Sequence, residues 1–310
     1  MTMKFQRFTQ KNILINILLI VSYIAWNTFV GGMRTEHWFL IVLWITMFYV
    51  AEKTRKFILA FSIFIVYWII YDSMRIIPNY EVSAVHIKQP YELEKSLFGI
   101  FSGGVLLTPN EYFAIHHNSV LDILAGLFYI NWVPIPLAFA AYLYVKDKYL
   151  FTKFSLVFLI VNIFGFIIYY LYPAAPPWYV QLYGFDLHIG IPVPGNSAGL
   201  SRFDKLLGVP IFQSIYNKNA NVLAAMPSLH ATYPLIVLFY GIKKGLKKMN
   251  LLFVIFMFGI WFSAVYASHH YIIDLIAGVI LALTLIFLFE KLSEKEFADT
   301  KIKNFVKKIS

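Results

Sequence analysis

The sequence predicts an all-α, polytopic membrane bundle, and three observations carry that prediction. The chain has 310 residues, of which 60% are hydrophobic and 14% charged, against roughly 45–50% and 25% in soluble domains. Apolar runs recur near 13–30, 38–51, 57–72, 119–145, 154–172, 224–242, 251–267 and 270–290, so about eight spans are expected at roughly 20 residues per span. The segments that join them alternate in charge. Nineteen of the 26 Lys and Arg residues fall in the N-terminal segment (Lys4, Arg7, Lys11), at Lys53 to Lys56, Lys146 to Lys153 and Lys243 to Lys248, and from Lys291 onward. Only seven, Arg34, Arg75, Lys88, Lys95, Arg202, Lys205 and Lys218, fall in the opposite segments. Because cytoplasmic loops retain Lys and Arg, both termini are expected in the cytoplasm.

In chain order, the first run follows a basic stretch as a signal peptide would, but no small-residue cleavage pattern closes it, and it reads as a helix. The second and third runs are short and require tilt or local thinning of the bilayer. Residues 73–118 form a long outer segment with Pro78, Pro90, Pro109 and the pair Gly103-Gly104, and its stretch Tyr91 to Leu107 is expected to lie in the interface as an amphipathic helix. Runs 119–145 and 154–172 each read as one helix. Residues 173–223 carry six prolines and five glycines, which predicts shaped loops. Three more apolar runs precede a lysine-rich end. The whole chain is expected to be one membrane domain: N-terminal helices at 1–72, a core at about 110–290 and a cytoplasmic basic tail at 291–310. With basic residues confined to the rims, nucleic acid is not an expected partner, and no protein partner is indicated. No cysteine is present, which excludes disulfides and thiolate metal sites.

All eight histidines, His37, His86, His116, His117, His188, His230, His269 and His270, fall on the expected outer side. Histidine suits nucleophilic and acid–base work near neutral pH, so chemistry is expected at that face. His270 and Asp274, four residues apart, share one helix face with the carboxylate a turn deeper. A carboxylate at membrane depth needs a partner, and the pair would fix the imidazole tautomer, leave the other ring nitrogen free and stabilise the cation formed on bonding to phosphorus. Pro227-Ser228-Leu229-His230 opens another outer-facing helix, whose free N–H groups suit a phosphate oxygen. His230 in its first turn can protonate a leaving oxygen and later deprotonate a hydroxyl. Ala175-Pro176-Pro177-Trp178-Tyr179 ends the preceding helix, with Trp178 and Tyr179 at the outer interface. No His-Glu-x-x-His or related spacing appears, and no metal or cofactor is expected.

This arrangement resembles the type 2 phosphatidic acid phosphatase superfamily, whose motifs KxxxxxxRP, PSGH and SRxxxxxHxxxD occur in this order on the extracytoplasmic side. Here the third reads Ser263-Ala264, five residues, His270, three residues, Asp274, without the arginine. The second has Leu229 for glycine, and the first lacks both of its cations. A monoester phosphate carries up to two negative charges and a diester one, so these departures point away from a monoester phosphatase. APPWY at 175–179, AGLSRFDK at 198–205, AAMPSLHA at 224–231, SHHYIIDL at 268–275 and LDILAG at 121–126 resemble the inositol phosphorylceramide synthase branch.

The resemblance implies a six-helix lipid phosphatase-like core and transfer of phosphoinositol from phosphatidylinositol to ceramide or dihydroceramide, releasing diacylglycerol. It makes His270 the nucleophile, His230 the acid and base, and Asp274 the residue that steadies His270. Substrate is expected to meet Ser228, Trp178, Tyr179 and uncharged or acidic groups suited to inositol: Asp122, Asp204 and the loop pair Asn219 and Asn221. Arg202, with its planar fork, is the expected partner of the phosphate. Asp122 has an alternative as a partner of Arg202 or His117, and Arg202 as an anchor to Asp204. The site is expected to face the periplasm of a bacterial cytoplasmic membrane, or the lumen in a eukaryote. A lipid phosphate phosphatase and a non-enzymatic lipid transporter are the competing readings.

Overall fold

The computed structural model describes residues 8–187, 195–218 and 221–310. His188, the prolines 192 and 194, Asn219 and the basic residues Lys4 and Arg7 lie outside them. Among the described residues the fold is helical apart from one small hairpin and isolated bridges. Helices α1 (Gln10–Val30), α2 (Thr35–Val50) and α3 (Glu52–Ser73) correspond to the first three apolar runs. Buried polar links hold them together. Trp44 Nε1 donates to Asn16 Oδ1 (2.7 Å), and at the other end Asp72 collects Arg34, His37 and Arg75.

The outer segment differs from its expected single amphipathic helix. It forms α4 (Lys88–Phe98), the antiparallel strands β1 (Ile100–Ser102) and β2 (Val105–Leu107), paired Ile100 to Leu107, and α5 (Pro109–Ile115). Gly103 and Gly104 sit at φ +60° and +81°, the left-handed backbone that glycine adopts without a Cβ penalty. They fold the chain back where a helix was expected to continue. The run 119–145 is also broken. Helix α6 (Ser119–Tyr129) gives way to a 3₁₀ turn at Ile130–Trp132 and then to α7 (Pro134–Lys146), with a bend of 43°. Pro134 cannot donate into the preceding turn and its ring disfavours helical backbone before it. The break matters to function because it turns Tyr129 and Trp132 toward His230.

Helix α8 (Lys148–Leu171) lies at the centre of the packing, with Phe151, Phe154, Val157 and Val161 fully or almost fully buried. The second outer segment contains only short helices among its described residues: α9 (Pro177–Tyr183), α10 (Ser201–Leu207) and α11 (Ile211–Tyr216). The long helices resume with α12 (Leu229–Lys243), α13 (Lys247–Tyr266) and α14 (Ile272–Ser293). The expected tail is instead a helix, α15 (Glu296–Ile309), whose Ile302 and Ile309 are buried. It is tied down by Tyr149 Oη donating to Asp299 (2.8 Å) and by Lys56 Nζ donating to the carbonyl of Ser310.

Five helices, α1, α3, α8, α13 and α14, are long and apolar enough to span a bilayer among the described residues, and the bent α6–α7 pair makes a sixth. The other two of the eight runs form α2 and α12, with 16 and 15 residues. This is a multi-pass membrane protein. The lysine-rich helix ends gather at one end of the bundle, where Glu290 accepts from Tyr240, Lys153 and Lys243, and Asp147 pairs with Lys244. Paired and hydrogen-bonded, Glu290 and the buried Lys153 satisfy the condition for charge at that depth. The histidine-bearing turns lie at the opposite end.

Candidate active site

His230 is the second residue of α12. Ser228 caps that helix, its hydroxyl accepting from Ala231 N–H (3.3 Å). The turn before it is pinned twice: Tyr169 Oη donates to Pro227 O (3.0 Å), and Ser228 N–H donates to Asp274 O (2.9 Å). Gly278 on α14 makes this approach possible, because a Cβ there would lie 2.3 Å from the carbonyl oxygen of Ser228.

His270 comes from the loop between α13 and α14. Its Nδ1 lies 2.9 Å from Ala225 O. A carbonyl only accepts, so Nδ1 carries the proton and Nε2 keeps its lone pair. His230 Nδ1 lies 2.9 Å from that Nε2 and donates to it. The two imidazoles thus meet directly although 40 residues separate them in sequence. Ala225 is held in register by backbone pairing of three chain segments: Ala225 N–H donates to Ala174 O, Ala174 N–H to Leu223 O, and His86 N–H to Pro173 O.

Asp274 lies in the first turn of α14, but His270 precedes the helix, so the two do not share the helix face that their spacing predicted. They meet across the loop, with Asp274 Oδ2 3.6 Å from His270 Nδ1. That is ion-pair range, not a hydrogen bond. The tautomer of His270 is therefore set by the Ala225 carbonyl, a correction to the expected role of the carboxylate. Asp274 Oδ2 accepts instead from Tyr271 N–H (2.8 Å), at the start of its own helix. The carboxylate is fully buried and remains the charge nearest to the His270 ring on α14.

Two cavities meet at His230. One, of about 120 Å³, is lined mainly by aromatic and apolar side chains, among them Tyr67, Tyr71, Trp132, Tyr169 and Tyr233. The other, of about 60 Å³, is lined by His270, His269, Trp178, Asn196 and Asn221 among others. Among the described residues neither cavity has a Lys or Arg in its wall. His269 is buried and stacked between Tyr216 (4.4 Å) and Tyr129 (5.4 Å), and its Nε2 lies 3.1 Å from Ser197 O. Burial, with His270 adding to the effect, pushes the His269 ring down to about 3, so it is neutral and donates to that carbonyl.

Of the residues expected to meet substrate, Trp178 and Asn221 line the smaller cavity. The others are committed elsewhere. Arg202 Nε donates to Asp122 Oδ1 (2.6 Å) and its guanidinium lies over the Tyr266 ring, so its partner is Asp122 and not Asp204, and it lines neither cavity. Asp122 also accepts from Tyr266 Oη (2.8 Å), with His117 Nδ1 3.7 Å from its other oxygen. Asp204 accepts from the N–H groups of Phe212 and Gln213 at the start of α11. Tyr179 Oη donates to Asp186 O, and Ser228 Oγ is consumed by its cap. In each case a buried polar group has taken a protein partner, as burial requires. Sequence reading missed the carbonyl of Ala225, which has no side-chain signature. It also missed Glu94 and Asn110, buried polar residues of the outer segment that bond to the His270 loop. No group of three or more His, Asp or Glu among the described residues is arranged to hold a metal ion.

A helical membrane bundle with a hydrogen-bonded histidine pair under a buried carboxylate, at one end of its spans, defines a class: integral-membrane enzymes of phosphoryl transfer. The chain belongs to the PAP2 superfamily, whose family model matches residues 105–288. It is 46% identical to the phosphoinositol dihydroceramide synthase of Bacteroides thetaiotaomicron over 89% of this chain and 90% of that one. It is 30% identical to the inositol phosphorylceramide synthase catalytic subunit of Saccharomyces cerevisiae, over 83% of this chain and 62% of that one. With the inositol phosphorylceramide synthase of Candida albicans it shares 30% identity, over 79% and 50% respectively. No solved structure matches significantly.

Proposed function

We propose that this enzyme transfers phosphoinositol from phosphatidylinositol to the primary hydroxyl of ceramide or dihydroceramide and releases diacylglycerol. The single observation that carries the mechanism is the 2.9 Å apposition of His230 Nδ1, in the wall of both cavities, and His270 Nε2, in the wall of the smaller one. The transferred phosphoinositol and the dihydroceramide acceptor follow the name of the 46% identical relative, and phosphatidylinositol is the proposed donor. His270 Nε2, which carries no proton, is released from its hydrogen bond with His230 as the phosphate enters between them, and attacks phosphorus. His230, doubly protonated beside the phosphodiester anion, donates its Nδ1 proton to the diacylglycerol oxygen as the P–O bond breaks, and becomes neutral. The ceramide oxygen then attacks the phosphohistidine, its proton passes to His230 Nδ1, and the P–N bond breaks. Each histidine ends as it began. Asp274 supplies negative charge beside the His270 cation in both steps.

A diester phosphate with one negative charge fits walls built from His, Asn and Tyr, and this supports the diester reading over the monoester phosphatase. The lysine-rich end of the bundle supports an orientation with that end in the cytoplasm and the site on the extracytoplasmic side, the periplasm in a bacterium. Purified protein given labelled phosphatidylinositol should form an inositol sphingolipid only when ceramide is added. Release of inositol phosphate to water regardless of ceramide would overturn the transferase reading. The His270→Ala variant should lose activity by at least about 10³-fold while remaining folded; normal turnover would remove the covalent mechanism.

A further inference from the structure

The loop that carries His270 makes few of its polar contacts within itself. The Ser263, Ala264 and Val265 carbonyls at the end of α13 accept from the N–H groups of Ala267 to His270, and two buried side chains of the outer segment hold the far side of the loop and the start of α14. Asn110, fully buried on α5, donates through Nδ2 to Val265 O (2.8 Å) and to His270 O (2.9 Å), bridging the last turn of α13 and the nucleophile itself. Glu94, fully buried on α4, accepts from Ile272 N–H (3.0 Å) and Ile273 N–H (3.1 Å), one on each carboxylate oxygen. Ser268, in the same loop, holds a left-handed φ of +60°, a conformation that persists only where surroundings over-determine it. Trp178 N–H donating to Ser268 O and Gly199 N–H donating to Ala267 O complete the restraint.

The arrangement at the start of α14 is unusual in charge as well. A helix N-terminus presents unpaired N–H groups and a partial positive charge. Here that end lies beside an imidazole that becomes cationic on phosphorylation, and left bare it would oppose the reaction. Asp274 takes the Tyr271 N–H and Glu94 takes the next two, so two carboxylates cover this end. No Lys or Arg forms an ion pair with Glu94 among the described residues, and burial pushes it up to about 7, so above that pH it carries a charge that no neighbouring cation takes up. Glu94 also precedes residues 105–288, the part that follows the superfamily pattern.

We infer that Glu94, with Asn110, is a positioning residue for phosphoryl transfer: the two hold the His270 loop against His230, and the Glu94 carboxylate reverses the polarity of the α14 N-terminus that faces the His270 cation. The inference rests on the phosphohistidine reading above. Glu94→Gln keeps size and one acceptor but removes the charge. It should lower kcat about 10–100-fold with KM for both lipids within about twofold, since the residue lines neither cavity. Glu94→Asp, which keeps the charge, should recover part of that loss, and Asn110→Ala should lower kcat at least about tenfold. A second readout needs no substrate. Mass spectrometry of carbethoxylation should find His270 modified several-fold faster in Glu94→Gln and Asn110→Ala than in the parent, in which the ring is almost wholly buried. Parent-like kcat in Glu94→Gln, or Asp no better than Gln, overturns the charge role. Unchanged His270 labelling in both variants overturns the positioning role. Failure of the parent to make inositol sphingolipid would instead sink the functional reading, and the labelling would still judge the loop. Should Glu94→Gln not fold, Glu94→Asp and Asn110→Ala decide the case by the same two measurements.

Discussion

The contact between Gly278 and the Ser228 carbonyl offers the sharpest test of how tightly the site is built. A Cβ on Gly278 would stand 2.3 Å from that oxygen, about 1 Å short of ordinary van der Waals separation. The obstacle is backbone, and it cannot rotate away. Ser228 is the cap of α12 and His230 is two residues on, so in Gly278→Ala the turn must move by roughly that 1 Å and carry His230 with it. Misplacement of a catalytic group by about 1 Å costs on the order of 10²-fold in rate, and overpacking costs about 1–3 kcal/mol in stability. The assay is conversion of labelled ceramide in the presence of phosphatidylinositol, alongside thermal unfolding in detergent. Gly259→Ala is the control, because its Cβ meets the side chain of Phe128 at 2.3 Å, and this half-buried ring can move without disturbing His230. Activity within threefold of the parent in Gly278→Ala, with stability also unchanged, would refute the claim that close α12–α14 packing sets the His230 position.

Ser228→Ala removes the α12 cap and should cost about 1 kcal/mol in thermal stability, with a smaller loss of activity than Gly278→Ala; equal stability would mean that the cap contributes nothing. Asp122→Ala strands Arg202 in a largely buried site, so it should destabilise the protein by about 3 kcal/mol while the folded fraction keeps its KM for the inositol lipid. A large rise in that KM with normal stability would instead restore Asp122 as a headgroup binder. For pH, His269 is held down to about 3 and Glu94 is pushed up to about 7 by burial, with the Ile272 and Ile273 N–H groups opposing that rise. The lowered His269 contributes stability that is complete above its unfolded value near 6.5 and is lost as pH falls toward 3. The raised Glu94 contributes stability that is complete below its unfolded value near 4.5 and is lost as pH rises through 7. Between pH 4.5 and 6.5 the two slopes, each at most about 1.4 kcal/mol per pH unit, oppose one another. Glu94→Gln should therefore unmask a steeper fall of melting temperature on acidification, measured by scanning fluorimetry, and a slope identical to the parent would mean that burial does not make Glu94 hold its proton.

What was legible in the sequence followed from periodicity and local spacing. The eight apolar runs all became helices, and the four-residue offset of His270 and Asp274 placed both beside the same turn. The helix at the C-terminus was also there to be read, since Ile302, Phe305, Val306 and Ile309 recur at helical spacing. Pro134 marked the break in the fourth run, which its uniform hydrophobicity hid. Two kinds of information were legible poorly or not at all. Backbone groups carry no residue signature, so the Ala225 carbonyl that fixes the His270 tautomer could not be singled out. Long-range partners were legible only in part: Arg202 was open as a partner of Asp122, which it reaches across 80 residues, whereas nothing in the sequence pointed from Glu94 to Ile272, 178 residues away. Asp122, Arg202 and Asp204 carried the right chemistry for a sugar phosphate, but a buried polar residue takes whichever partner the fold supplies, and here the fold supplied one to each.

In the proposed mechanism the histidine pair and its carboxylate make the attack on phosphorus, and what separates a transferase from a hydrolase is what occupies the second approach to the phosphohistidine. In-line displacement requires the entering oxygen to come from the side that the leaving oxygen vacated, opposite His270 Nε2, and that is the side of His230. The larger cavity opens there, and its wall explains why water would be a poor competitor: it is built largely from Tyr, Trp, Phe, Leu and Met side chains, which favour the apolar body of a lipid over bulk water. Tyr67, Tyr71 and Met74 in that wall belong to the α3 region, upstream of residues 105–288. Tyr67 Oη also lies 3.2 Å from Tyr233 Oη on α12, so the N-terminal helices are joined to the helix that carries the acid–base histidine. The proposed chemistry thus belongs to the segment shared with the superfamily, while part of the surface that would face the entering oxygen comes from helices that precede it.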